Sequence, residues 1–206
     1  MLRATSHLAS YLFLPLFMPL LALYVVVKVD PFLGYFLAPS QARILFIVVL
    51  LSTVVFPLIN LFILRKSGII TSYGLVHRHE RLAPAVSTAV YFALGYFLIR
   101  KGALPTVIYS LYLGAMVSVV MALVVTLKWK ISMHAIGVGG VLGGLVGVFV
   151  LHDFVHFPAM IALILAGGWV MTARLALKVH TPAQVYIGYA TGFAITWISV
   201  VNGWNI

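Results

Sequence analysis

Seven stretches of this chain are long, apolar and almost free of charge: 9–27, 44–64, 84–99, 104–127, 131–151, 157–173 and 182–201. A helix that crosses a bilayer needs about 20 apolar residues, with a range of about 17 to 25. Most of the stretches meet that length, and 84–99 is short enough to need an upright setting. Composition agrees: only 8% of the residues are Asp, Glu, Lys or Arg and 64% are hydrophobic. A soluble domain carries about 25% charged residues, so this chain has too little charge to coat its own surface. The expected architecture is an all-α polytopic integral membrane helix bundle of about seven (six to seven) transmembrane helices, with 1–206 as a single membrane domain. The first stretch is longer than the apolar core of a signal peptide and is soon followed by another, so a retained helix is expected. With no cysteine, disulfides and thiolate metal sites are excluded.

The 13 Lys and Arg residues against three acids, Asp30, Glu80 and Asp153, give a net charge of +10. Such cations anchor to anionic headgroups or hold an anionic substrate, and position separates the two uses. Seven spans put the N-terminus and the connections 65–83, 128–131 and 174–181 at one end, and 28–43, 100–103, 152–156 and the C-terminus at the other. Nine of the 13 cations fall at the first end, with His7, His77, His79, His134 and His180. The second end keeps Lys28, Arg43, Arg100 and Lys101, with His152 and His156.

Three polar connections therefore meet at the first end. YGLVHRHERLAP (73–84) carries Arg78 and Arg81, whose planar forks suit phosphate; Pro84 fits the first turn of the next helix. In KWKISMHAIGVGG (128–140), Ser132 fits an N-cap. The N–H groups of Met133, His134 and Ala135 would then be open to an anion, with Lys130 beside them. In RLALKVHTPAQ (174–184), Arg174 ends one helix. Thr181, Pro182 and Gln184 fit the N-cap, N1 and N3 positions of a capping box opening the next, so His180 sits just ahead of a helix N-terminus. Each connection alone also reads as plain capping and interfacial anchoring. Jointly, two helix N-termini, two histidines and two or three arginines form an oxyanion pocket, which suits phosphoryl transfer.

In order and spacing these residues resemble the phosphatidic acid phosphatase type 2 superfamily of membrane lipid phosphatases, whose signatures are K-x6-R-P, P-S-G-H and S-R-x5-H-x3-D. The likeness is strongest over 73–192. Arg174, five residues, then His180 matches the third signature. Ser132 and His134 match the second, with Ile131 for its proline and Met133 for its glycine. Arg81 and Pro84 echo the first, with Arg78 as its extra charge. The resemblance implies His180 as nucleophile, His134 as general acid, and Arg81, Arg174 and Ser132 as phosphate ligands, aided by Arg78 and Lys130. It implies no metal or other cofactor. Gln184 stands where the family has an aspartate that orients the nucleophile. An uncharged carbonyl there implies a slower enzyme, or only a capping partner.

The glycines at 139, 143 and 147 and at 140 and 144 form a close-packing helix face. A nucleotide loop is excluded, since no lysine follows them. HDFVH (152–156) has metal-ligand spacing but reads as a polar turn across the membrane from His134 and His180. The expected activity is release of phosphate from a lipid monoester or diphosphate, such as phosphatidate, phosphatidylglycerol phosphate or a polyprenyl diphosphate. Partners are that lipid phosphate and the surrounding membrane lipids, with no nucleic acid; a homo-oligomer is compatible with the sequence. Two alternatives stand beside it: a degenerate relative that binds or moves an anionic lipid, and a histidine-rich metal-dependent membrane enzyme. The location expected is the bacterial inner membrane. Nine cations against four put the site in the cytoplasm, whereas the resemblance points outward. Without Arg78, Arg81, Lys130 and Arg174 the count is five against four, and the side stays open.

Overall fold

The computed structural model describes residues 2–73, 80 and 82–204. Every regular element among them is helical. Seven helical runs are long and apolar enough to cross a membrane: Arg3–Val29, Pro39–Lys66, Leu82–Ile99, Thr106–Thr126, Met133–His152, Phe157–Ala176 and Pro182–Val201. They follow the seven apolar stretches in order.

The first run is not the continuous helix expected over 9–27. It divides into α1 (Leu2–Leu12), a 3₁₀ turn at Pro15–Phe17 and α2 (Met18–Val29). Pro15 has no N–H to donate and pushes the residue before it out of the helical region. Leu14 is accordingly extended, at φ −58° and ψ 135°. A short helix α3 (Pro31–Phe36) follows, started by Asp30, whose side chain accepts from the Phe32 N–H. The second run consists of α4 (Pro39–Leu50) and α5 (Phe56–Lys66), joined without a break by a π-helical turn at Leu51–Val55. That turn buries Ser52 and Thr53, and the Ser52 hydroxyl meets the Tyr112 hydroxyl at 2.8 Å. The remaining spans are α6 (Leu82–Ile99), α7 (Thr106–Thr126), α8 (Met133–His152), α9 (Phe157–Ala176) and α10 (Pro182–Val201).

The glycine face positions the rest. On α8, Gly139 and Gly143 lie against the backbone of Tyr189 and Phe193 on α10, and Gly192 of α10 lies against the backbone of Ile136. A Cβ at any of the three would enter a main chain, so the two helices touch backbone to backbone, as small residues permit in lipid. Gly147 lies against Val200, while Gly140 and Gly144 face Thr196. α8 is thus the buried axis of the bundle, and its N-terminus is fixed relative to that of α10.

The two ends separate as the charge count requires. At one end Asp30 meets His152 at 2.7 Å, the Gln41 amide donates to the Ala103 carbonyl, and the Ser110 hydroxyl donates to the Trp204 carbonyl. At the other end Ser10, Lys130, His134, Arg174 and Gln184 are joined by hydrogen bonds.

Candidate functional site

Ser132 starts α8 as an N-cap with extended backbone, φ −85° and ψ 103°, and its Oγ accepts from the Ala135 N–H at 3.4 Å. Of the three N–H groups expected to be open here, Ala135's is therefore used by the cap. Thr181 starts α10 with the full capping box: its Oγ1 accepts from the Gln184 N–H, and Gln184 Oε1 accepts from the Thr181 N–H at 3.1 Å. The two N-termini are tied together, because the Ser132 N–H donates to the Gln184 carbonyl at 3.2 Å. Gly188, one turn along α10, leaves room for the Ser132 carbonyl. Lys130 reaches across to the same corner, donating from Nζ to the Val179 carbonyl at 2.7 Å.

The corner between α9 and α10 turns on Lys178, a non-glycine residue at φ 54°. A side chain in that left-handed region costs about 1–2 kcal/mol. The turn carries the chain back within two residues and sets His180 beside the α10 N-terminus. His180 Nδ1 lies 3.3 Å from Gln184 Oε1. Since that same oxygen accepts from the Thr181 N–H, the amide's orientation follows from the cap. An oxygen can only accept, so Nδ1 carries the proton and Nε2 keeps its lone pair.

His134 lies in the first turn of α8 and Arg174 in the last turn of α9. α1 connects them. Arg174 Nη1 donates to Ser10 Oγ at 3.0 Å, and His134 Nε2 meets the Ser10 carbonyl at 3.1 Å. A carbonyl accepts only, so His134 carries its proton on Nε2. Arg174 Nε is buried without a hydrogen-bond partner. Arg174 and His180 are both near enough to His134 to act on it electrostatically.

The structure thus gathers Ser132, His134, Arg174, His180, Gln184 and Lys130 at one end of the bundle. Ser132 is fully buried and its Oγ serves the cap; Lys130 is exposed. Arg78 and Arg81 lie outside the described residues. Ser10 is the residue that the sequence did not reveal. Its signal is faint: Ser6, Ala9 and Ser10 make a small-residue stripe on a segment whose other face carries Leu8, Tyr11 and Leu12.

Two spaces adjoin this cluster. An open groove of about 400 Å³ is lined by Lys130, Lys178, His180, Thr181 and Gln184. A much smaller apolar cleft of about 50 Å³ lies among α2, α6, α7, α8 and α10, its lining including Met18, Phe92, Leu111, Met133 and Val141. It reaches Met133, next to His134, and extends to Val141, eight residues or about 12 Å further along α8.

HDFVH is a structural turn. Asp153 closes α8 at φ 51°, and His156 caps α9 by accepting from the Ala159 N–H at 3.2 Å. His152 and His134 lie near opposite ends of the 20-residue α8, about 27 Å apart along its axis at 1.5 Å per residue. Among the described residues no group of three His, Cys, Asp or Glu is placed to hold a metal.

Comparison with protein-family models, with curated proteins and with solved structures gives no match for this chain.

Proposed function

We propose that this protein is a metal-independent membrane lipid phosphatase. One observation carries the reading: two imidazoles and a guanidinium converge beside two tied helix N-termini at one end of an apolar bundle. Arginine donors and helix N-termini neutralise phosphate oxygens. A neutral imidazole protonated on Nδ1 is a nucleophile at Nε2.

In this mechanism His180 Nε2 attacks phosphorus, and the bond from phosphorus to the lipid oxygen breaks. His134, protonated on both ring nitrogens for this step, gives its Nε2 proton to the departing alkoxide and is left as a neutral imidazole. Gln184 holds the His180 Nδ1 proton throughout. Water then attacks the phosphohistidine, His134 takes a proton from it, and inorganic phosphate leaves with His180 restored. Arg174 holds the phosphoryl oxygens in both steps, joined through the resemblance by Arg81 with Arg78 as extra charge; Lys130 adds positive charge at the same end, and Ser132 keeps its place as the α8 cap. In this reading the lipid tail lies along the apolar helix surfaces, with the phosphate at the bundle's end. A bacterial inner membrane is the setting that fits this reading.

Purified protein in lipid nanodiscs is expected to release phosphate from phosphatidate in the presence of a chelator. His180→Ala should lower the rate by about 1,000-fold or more; release that survives the substitution rules out the phosphohistidine route. A second reading, a relative that binds anionic lipid without turnover, is favoured by Gln184, whose carbonyl oxygen serves the α10 cap and carries no charge. Lipid-phosphate binding with no release under any condition supports that reading.

A further inference from the structure

We infer that α1 is a lid docked on the phosphate site, with Ser10 standing in for substrate oxygens. The inference rests on the phosphatase reading of that site. Ser10 presents two oxygens to the two groups assigned to phosphate and to the leaving alkoxide. Arg174 Nη1 donates to its hydroxyl and His134 Nε2 to its carbonyl, at 3.0 and 3.1 Å. In the docked state the proton that His134 would give to the leaving group is therefore engaged, and so is one arm of the arginine fork.

The stand-in is incomplete. Arg174 Nε belongs to the same guanidinium and is buried without a partner. A serine hydroxyl offers that fork one acceptor, whereas a phosphate accepts from two arms at once. Exchange of Ser10 for an oxyanion satisfies a donor that the docked helix leaves orphaned.

α1 meets the bundle through small residues. Its inward stripe is Ser6, Ala9 and half-buried Ser10, while Leu8, Tyr11 and Leu12 face outward and are exposed. The helix also has a hinge. Leu14 is extended ahead of Pro15, so no backbone ladder ties α1 to α2. Below the hinge, Met18 is seated against Gly137 of α8. Below the break α2 is seated on α8; above it α1 docks on α9, with the Ser10 contacts and with Phe13 edge-on to Trp169 at 6.2 Å.

The chain has no cysteine, so two labels report without interference. Nitroxides on Leu8→Cys and Leu165→Cys, at side chains 56% and 68% exposed, read the α1–α9 separation in the full-length protein in nanodiscs. Saturating orthovanadate, a phosphate analogue, should add a longer-distance population in pulsed electron paramagnetic resonance, absent from Arg174→Ala. By isothermal titration Ser10→Ala should bind orthovanadate about 3- to 10-fold more tightly, since a competing acceptor is gone. Weaker binding by Ser10→Ala would make Ser10 a ligand and overturn the lid. An unchanged separation with orthovanadate bound overturns it as well. Phosphate release with α1 unmoved removes the lid and keeps the phosphatase. Binding and movement without release keep the lid over an anion site and remove the phosphatase. No orthovanadate binding by either protein removes both.

Discussion

The two ends of the bundle treat polar groups in opposite ways. At the α3 end a carboxylate meets an imidazole: Asp30 Oδ2 lies 2.7 Å from His152 Nδ1, Asp30 Oδ1 accepts from the Phe32 N–H, and the Phe32 ring packs on the imidazole at 4.8 Å. Asp30 is 2% exposed, and this is the one carboxylate–imidazole contact shown among the described residues. At the other end Arg174 and His134 meet only neutral oxygens of Ser10. Glu80, the acid on that side, accepts from the Thr71 N–H at 2.8 Å. A carboxylate beside Arg174 would hold it as Asp30 holds His152 and would compete with any incoming anion. Leaving it out keeps the guanidinium available.

The contrast is broken most directly by removing one charge from each end. Arg174→Ala should lower phosphate release per unit substrate (kcat/KM) by about 100- to 1,000-fold, the cost of losing one donor to a developing oxyanion. It should lower the thermal midpoint by less than Asp30→Asn, because Arg174 is only partly buried and its Ser10 partner is neutral. Asp30→Asn should do the reverse. A buried hydrogen bond to a charged group contributes about 1.5–3 kcal/mol, so the melting temperature should fall while release stays within about twofold. If both substitutions lower stability alike and neither changes release, the two ends are equivalent and the functional reading of Arg174 fails.

Much of this contrast was legible in the sequence, because it depends on length and local chemistry. Seven apolar stretches fix the parity of the connections, and parity alone sorts His134 and His180 from His152 and His156. The caps at Ser132 and Thr181 follow from residue types at fixed offsets. So does the glycine face, since spacing of four places Gly139 and Gly143 on one side of a helix. The break at Leu14 was hidden because hydropathy averages over Pro15 and Pro19, and the stretch stays apolar whether or not its backbone is continuous. Ser10 was hidden for a different reason. Its carbonyl is the acceptor for His134, and a main-chain oxygen has no signature in a sequence; only the packing of α1 on α9 brings it there. Arg78 and Arg81 fall outside the described residues.

A smaller effect is expected where Gln184 faces His180. Gln184→Glu keeps the length of the side chain and its acceptor for the Thr181 N–H, and a glutamate is equally suited to the capping box. It adds a charge next to the imidazole that must become cationic on attack. Charge-assisted hydrogen bonds are roughly twice as strong as neutral ones. A gain of about 1.4 kcal/mol in the transition state is tenfold in rate, so release should rise by up to about tenfold. It would bring this end closer to the Asp30–His152 arrangement without placing an acid on Arg174. A lower rate in Gln184→Glu would show that the site needs a neutral partner there, which favours lipid binding over turnover.

The smallest effect separates a cap from a ligand. Ser132 caps α8 at one end of the bundle as His156 caps α9 at the other, each accepting from the N–H three residues on, at 3.4 and 3.2 Å. Replacing an N-cap by alanine costs about 0.5–2 kcal/mol. Ser132 is fully buried and its Oγ points to Ala135, so Ser132→Ala should lower stability by about 1 kcal/mol and leave orthovanadate affinity within about twofold. His156→Ala should lower stability by a similar amount. If Ser132→Ala weakens orthovanadate binding about tenfold, a loss of 1.4 kcal/mol, while His156→Ala does not, the hydroxyl must turn from the cap to the anion when the site fills. The helix N-terminus would then be a ligand in its own right, because uncapping it frees the Ala135 N–H at the moment the phosphate arrives.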